Sequence, residues 1–509
     1  MSTFHGLEMA KQALFAQQSG LYTTGNNISN ANTKGYSRQR VNFENQSPYP
    51  TVSRNRPEIP GQMGTGVKVG SIERVRDGYL DKQFRGENSK TGFWETKSKA
   101  LSRMENLMNE TTDNGLSKSM DLFWDSLQDL ATNPSNSGAR SVVVQRANAL
   151  ADSFNYMSKS LNSIRSDLKS ELDTTGKHVN SLLTQINEIN KQVKHIESHG
   201  YLANDLYDER DRLIDELSGI VNIEVSYDSS GDGALDRADG VATIKLLNGD
   251  EKITLVNGQP DETNPEIQSI TINYTGEGEE KYVESIKVGE EDVALTETTG
   301  SLHALVQAYG YLDGEDVKGE YPDMIADLNA MANKFVEAFN EVHENGFDLN
   351  GEPGQPFFEG ETAGSIEVSQ AIKDNPNLIA ASNTDNPSDE DSSDDEGVSI
   401  DGLNALKLAA VFDDSIEING KSTTVKEFFA SIIGDLGVKA QEANRMADNT
   451  NILLSQVQNQ RQSVSSVSLD EEMSNMIKFQ HAYNAAARSM TTIDEMLDRV
   501  INNMGLVGR

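Results

Sequence analysis

Apolar residues recur every seven positions at both ends of the chain. Leu7, Leu14, Leu21 and Ile28 form one stripe, with Phe4 and Ala10 beside it, which predicts an amphipathic helix over the first 30 residues. Leu469, Met476, Tyr483, Met490, Leu497 and Met504 form a second stripe. Its offset positions hold Phe479, Ala486, Ile493 and Val500, with Glu472 the one polar member, so the pattern is an a/d seam. Neither stripe has an apolar sequence neighbour to cover it. The two ends are expected to pack on each other or on other copies, and neither should be stable alone.

Between them the period changes twice. Leu161, Ile164, Leu168, Leu172, Thr175, Val179, Leu182, Ile186, Ile189, Val193 and Ile196 are spaced by threes and fours, which predicts a helical rod about 50 Å long, with Gly176 a candidate bend. From Val221 the runs become short and alternating (NIEVSY, VATIKLL, KITLV, SITINY, SIKV), separated by Gly, Asn and Asp, and predict an all-β insertion. Helical spacing returns at 302–311 and 324–342. A Gly/Pro/Phe-rich loop and the acidic stretch 385–401 follow, the latter with almost nothing to bury. A short β piece, SIEINGKSTTV, precedes a helix from about 425 that runs through a Gln/Asn/Ser-rich coil into the terminal seam.

The fold class expected is therefore α+β and multidomain, with paired terminal helices, a long helical bundle and an inserted all-β domain. The division is 1–35 with 465–509 (terminal assembly helices), 36–220 with 301–346 and 425–464 (helical rod), 221–300 (β insertion) and 347–424 (Gly/Pro loop, acidic segment and small β region).

Charge and composition narrow the function. Asp and Glu number 80 against 44 Lys and Arg, a net charge of −36 that repels phosphate backbones and anionic lipid, so neither nucleic acid nor membrane is expected as a partner. There is no cysteine, which removes disulfides, thiolate metal sites and thiol nucleophiles. No apolar run is long enough to cross a bilayer, and the opening residues lack the basic leader and apolar core of a secretory signal.

Candidate chemistry is sparse. His195 and His199 are one helical turn apart but do not make HExxH, and they stand just before Gly200, where a helix ends. NGKST at 419–423 lacks the first glycine of a phosphate loop and reads as a β-turn. Asp228, Ser230, Asp232, Asp236 and Asp239 fall at calcium-loop positions, but position 12 calls for Glu and the flanks are strand-like, so a hairpin connection is expected. The Asn-rich run 25–39 reads as a helix stop whose uncharged amides also suit packing against neighbouring subunits.

That run, from Asn26 through Asn27, Asn30, Asn32, Gly35 and Tyr36 to Arg38, resembles the signature of bacterial flagellar rod, hook and hook-associated proteins. NDLYDERDRLIDELSGIVNIEV (204–225), FNEVHENGFDLNGEPGQPFF (339–358) and the block 463–505, with Leu469, Asp470, Glu471, Glu472, Gln480, Tyr483 and Ala487, resemble segments of the hook-associated protein 1 family in the same order. Ser466 stands where that family often has glycine. The resemblance implies a non-enzymatic adaptor ring at the hook–filament junction. It would be extracellular, exported by the flagellar type III pathway without a cleaved signal peptide, and without cofactor. Its implied partners are further copies of itself, the hook protein, hook-associated protein 3 on the filament side, and an export chaperone on the C-terminal helix. Two other classes remain open: a surface adhesin or calcium-binding structural protein acting through the β insertion, and a cell-wall hydrolase, for which no acid pair or histidine site is evident.

Overall fold

The computed structural model describes residues 4–50, 61–108, 115–260, 265–276, 278, 281–295, 298–384 and 401–503. Met504 and the acidic stretch up to residue 400 lie outside the described residues.

Helix α1 (Phe4–Ser29) is followed by an antiparallel hairpin, β1 (Gln39–Asn45) and β2 (Val67–Arg74). This hairpin lies within residues assigned above to the helical rod. Its alternation, QRVNFEN and VKVGSIER, is too polar to stand out, and α1 lies against both strands.

The rod consists of α2 (Gly78–Met108), α3 (Leu116–Thr132), α4 (Ser137–Glu197) and α5 (Asn204–Ile220). The Asn136 side chain caps α4 by accepting from Gly138 N at 2.8 Å and Ala139 N at 3.3 Å. Its 61 residues make it about 90 Å long, well beyond the expected 50 Å, because Val143, Ala147, Leu150, Phe154 and Met157 continue the buried stripe toward the N-terminus. The helix continues through Gly176. A Cβ at that position would lie 3.1 Å from Ile272 Cδ1, so the glycine serves the close approach of a strand.

That strand belongs to the β insertion, which forms two sheets. β3 (Ile223–Asp228), β4 (Val241–Asn248) and β5 (Glu251–Val256) make one antiparallel sheet. β6 (Ile270–Thr275), β7 (Tyr282–Val288) and β8 (Glu291–Val293) begin the other, which is completed beyond residue 300, after α6 (Ser301–Tyr309), by β9 (Tyr311–Asp313) and β10 (Asp316–Lys318). Two asparagines of α4 hold the sheets to the rod. Asn190 exchanges hydrogen bonds with the backbone of Ala242 (2.8 and 3.0 Å) and Asn180 with that of Ile270 (2.9 and 2.8 Å).

Helix α7 (Glu320–Glu344) leads into the far end of the molecule, with β11 (Phe358–Glu359), β12 (Glu367–Val368), α8 (Gln370–Asp374) and α9 (Leu403–Ala410). The motif 339–358 is structural here. Asn340 Oδ1 accepts from the N–H groups of Phe357 and Phe358, both at 2.9 Å. His343 donates through Nδ1 to Gln355 O at 2.6 Å and accepts at Nε2 from Ala380 N at 2.9 Å, which fixes a neutral tautomer. Burial depresses this imidazole, and that of His303, to about 4.

In the hairpin of β13 (Ile416–Ile418) and β14 (Lys421–Thr423), Asn419 and Gly420 both take positive φ, the two-residue turn that NGKST suggested. Thr424 then caps α10 (Val425–Ser465), accepting from Glu427 N at 3.1 Å. The Gln/Asn/Ser-rich stretch is not coil but the second half of this 41-residue helix, which lies along α2. Three residues separate it from α11 (Leu469–Asn503).

Candidate functional site

α1 and α11 form an antiparallel pair. A Cβ on Gly6 would lie 3.2 Å from Ile493 and one on Gly20 3.1 Å from Phe479, while Asn27 Nδ2 donates to Glu472 Oε2 at 3.1 Å. Each step of seven along one helix is thus matched by seven in reverse along the other. The residues that meet α11 are small, and they stand one position before the leucine stripe. Leu7, Leu14, Leu21 and Ile28 are only half-buried, whereas Ala10, Ala16, Gly20, Thr23, Thr24 and Asn27 are buried. Close antiparallel helices leave room for glycine and alanine at the crossing and push leucines to the flanks.

On α11, Met476, Phe479, Tyr483, Ala486, Met490 and Ile493 are half-buried and Leu497 is buried, while Leu469 and Val500 are exposed. A large apolar surface remains open on the pair: Tyr22 is 79% exposed, Phe15 58%, Met473 57% and Ile477 53%.

The polar break in the α11 seam meets the polar break on α1. Glu472 is buried and accepts from Asn27 and from Arg38 Nε at 2.8 Å, and Arg38 also reaches Glu471 at 2.7 Å. Asn27 Nδ2 donates to Gln39 O at 2.8 Å, while Asn27 Oδ1 accepts from Gln39 N at 2.9 Å and from the Tyr36 hydroxyl at 2.8 Å. Burial, with Asp208 and Asp205 nearby, raises the Tyr36 phenol and keeps it a donor. Asn30 closes the end of α1 on Asn26, and Asn32 is exposed. Gly35 has φ +87° and faces the Arg212 side chain, so the turn calls for glycine.

One step inward, α5 joins this knot to the rod. Asp208 accepts from Ser37 N (3.0 Å) and Arg74 (2.8 Å). Asp211 lies among Arg74 (3.0 Å), Arg76 (3.0 Å) and Arg85 (3.2 Å). Arg461 of α10 bridges Asp81 at 3.0 Å and Asp215 at 2.5 Å. Burial opposes the charge on Asp211, but Arg76, Arg74 and Arg85 outweigh it and hold the carboxyl far below its usual range. At Asp208 burial wins over Arg74 and the carboxyl is raised. The sequence shows Asp208, Asp211 and Asp215 as one acidic helix face. It gives no sign of their arginines, which come from residues more than a hundred positions away.

The remaining candidates do not converge on a site. Asp228 accepts from Thr243 at 3.0 Å, Ser230 donates to buried Glu197, Asp239 pairs with Arg74, and Asp232 and Asp236 are exposed. The loop joins antiparallel strands. Arg237 within it reaches Glu73 of β2 at 3.3 Å, so the loop braces the insertion against the hairpin. His195 and His199 meet edge to face, their ring centroids 4.9 Å apart, at the end of α4. Among the described residues no group of three or more carboxylates or imidazoles is placed to hold a metal ion.

The comparisons with known proteins follow the same partition. Residues 7–36 match the family "Flagella basal body rod protein" and 458–504 match "Flagellar basal body rod FlgEFG protein C-terminal", which together span the helix pair and its root. A paired-helix root of this kind defines a structural protein of the flagellar axis. Residues 101–358 match "Flagellar hook-associated protein FlgK helical domain". Flagellar hook-associated protein 1 of Bacillus subtilis (strain 168) is 48% identical over 524 aligned positions covering all of both chains. That of Escherichia coli (strain K12) is 25% identical, covering 97% of this chain and 98% of its own. The flagellar hook junction protein FlgK from Burkholderia pseudomallei shares the fold, with a TM-score of 0.58 at 15% identity over 75% of this chain and all of its own. The chain belongs to the flagellar hook-associated protein 1 family and is a structural, axial component of the flagellum.

Proposed function

We propose that this chain acts at the junction of hook and filament as a non-catalytic adaptor ring, assembled through α1 and α11. The observation that carries this reading is the apolar surface the helix pair leaves open, with Tyr22, Phe15, Met473 and Ile477 each more than half exposed. Covering each such side chain is worth about 1.5–3 kcal/mol before ordering entropy is subtracted. A neighbouring copy is the natural cover, because only a repeated contact closes a ring.

Among the described residues of α11 only Glu472 and Leu497 are buried, so the helix pair has little to hold it in a free subunit and should order as the ring forms. The hook protein would contact one face of the ring and hook-associated protein 3 the other, and an export chaperone would cover α11 before assembly. The flagellar type III route to the cell exterior fits the family. The adhesin and calcium-binding readings gain nothing from the relatives, and within the 228–239 loop Asp228, Ser230, Arg237 and Asp239 are engaged by Thr243, Glu197, Glu73 and Arg74.

The test is Leu497→Asp in cells. Leu497 is buried where α11 packs on α1, so a carboxylate there strands a charge inside the helix pair of every assembled subunit, which costs several kcal/mol each time. Synthesis and export should continue, hooks should lack filaments, and the variant should appear in the medium with unpolymerised filament subunits. Full motility would reject the assembly seam.

A further inference from the structure

Residues 449–468, the second half of α10 and its link to α11, contain a single charged side chain, Arg461. At the chain's 24% charged content, about five would be expected in twenty residues of an exposed helix, where ion pairs ordinarily supply solubility. Arg461 does not serve the surface. It turns inward to Asp81 and Asp215 and lies over the Phe84 ring at 4.6 Å. What this stretch presents to solvent is Ile452 (66% exposed) and Leu453 (48%) among asparagine, glutamine and serine. Ile452, Gln456, Asn459 and Ser463 follow one another along a single face, and the shallow hollow over it is lined by α10 residues alone, with Asp448 at its N-terminal end the one charged side chain among them.

We infer that this uncharged face of α10 is a second contact between copies of the chain, set beside the terminal pair. The inference rests on the ring reading above and adds to it the surface at the root of the rod. Charge identifies the occupant. Each copy carries −36, so any surface where two copies touch must be cleared of carboxylates or repulsion opposes the contact. An uncharged face with exposed Ile and Leu on an otherwise acidic subunit fits a like-charged neighbour. A basic partner would be met by carboxylates instead. Position gives a second reason, since only three residues separate α10 from α11, and a ring closed through α11 brings the α10 roots of adjacent copies side by side. A matching surface is available on the neighbour. Residues 12–33 hold no Asp, Glu, Lys or Arg, and Phe15, Gln18 and Tyr22 of α1 are exposed. Two different uncharged faces on one subunit suit the head-to-tail contact from which rings are built.

The experiment places the photo-cross-linking residue p-benzoylphenylalanine at Ile452, and separately at Tyr22, in cells that build flagella. Isolated hook–filament structures are then irradiated, and adducts are sized and identified by mass spectrometry. Both positions are exposed, so the subunit should fold normally. The inference expects an adduct of two copies, twice the 55.7 kDa chain, from position 452. An adduct with a different protein from position 452, or none at all, would overturn it. Position 22 separates the two levels. A self-adduct from 22 but not from 452 rejects the α10 contact and leaves the ring reading intact, and no self-adduct from either rejects both.

Discussion

Six phenylalanines at the far end of the rod, Phe123, Phe335, Phe339, Phe357, Phe358 and Phe412, close on one another with ring centroids 4.9–6.2 Å apart, and none is more than 1% exposed. At the other end, α1 and α11 carry Phe4, Phe15, Tyr22, Met473, Ile477 and Ile501, all more than half exposed. The two regions are equally supplied with large apolar side chains. They differ in whether one chain can cover them. The far end brings α3, α7, Phe357 and Phe358 at the start of β11 and the segment after α9 around a single centre, whereas the terminal pair is two helices and a hairpin, too few layers to enclose a core. Between them lies a third kind of interior, the arginine–aspartate cluster around Asp211, which fixes the direction in which the unfinished end leaves the finished one.

Breaking the two interiors should cost similar amounts by different physics. Asp211→Ala leaves Arg74, Arg76 and Arg85 buried without their shared counter-charge and should lose about 3–5 kcal/mol in urea unfolding of the full chain. A loss below about 1 kcal/mol would mean the cluster behaves like surface ion pairs. Phe339→Ala should also lose about 3–5 kcal/mol, through the cavity it opens, and Phe339→Leu should recover much of that. No comparable rescue is expected from Asp211→Asn, because the charge and not the volume is missing.

The next effect separates the regions by pH. His303 and His343 sit at about 4 in the folded chain against an ordinary value near 6.5. Between those values the unfolded chain takes up protons that the folded one does not, so stability falls as pH drops from about 6.5 to 4, by about 3 kcal/mol per imidazole. Asp211 works lower. With its folded value depressed, its contribution is complete above the ordinary carboxylate range and fades only as pH falls below it. Thermal melts at pH 7, 5.5 and 4 check this, and a flat profile down to pH 4.5 would contradict the buried neutral imidazoles.

The smallest effect is Gly176→Ala, expected to change stability by less than about 1 kcal/mol. The gain in helix propensity is offset by Ile272, whose flexible Cδ1 must yield from 3.1 Å. Gly92→Ala is the contrast. Its Cβ would meet the Gly219 carbonyl oxygen at 2.0 Å, where only backbone movement relieves the clash.

The long rod and the β runs were legible because each rests on a local pattern: α4 repeats at 3.5, and β3 to β7 are apolar or alternating runs of six to eight residues, with β4 buried along most of its length as the central strand. The terminal pair was legible as helices, and on α11 Phe479 and Ile493 of the expected seam do face α1, but on α1 the contact lies one position before the leucine stripe. Apolar pattern weighs leucine, while close antiparallel packing selects Gly6, Gly20 and Asn27. Glu472 stood out as a flaw in the seam, and its partner Asn27 stood out as part of a motif, but nothing local joined the two. The ion cluster was illegible for the same reason, since Arg74 finds Asp208 and Arg461 finds Asp81 only through the fold.

The central claim is that the exposed apolar surface of the terminal pair is an unfinished interior awaiting other copies. The direct measurement is the Met473→Asp, Ile477→Asp double variant. Both side chains are more than half exposed, so the purified subunit should unfold in urea as the parent does. In cells, electron microscopy should show intact hooks without filaments and the exported variant in the medium. Filaments of normal number and length on that strain would contradict the claim.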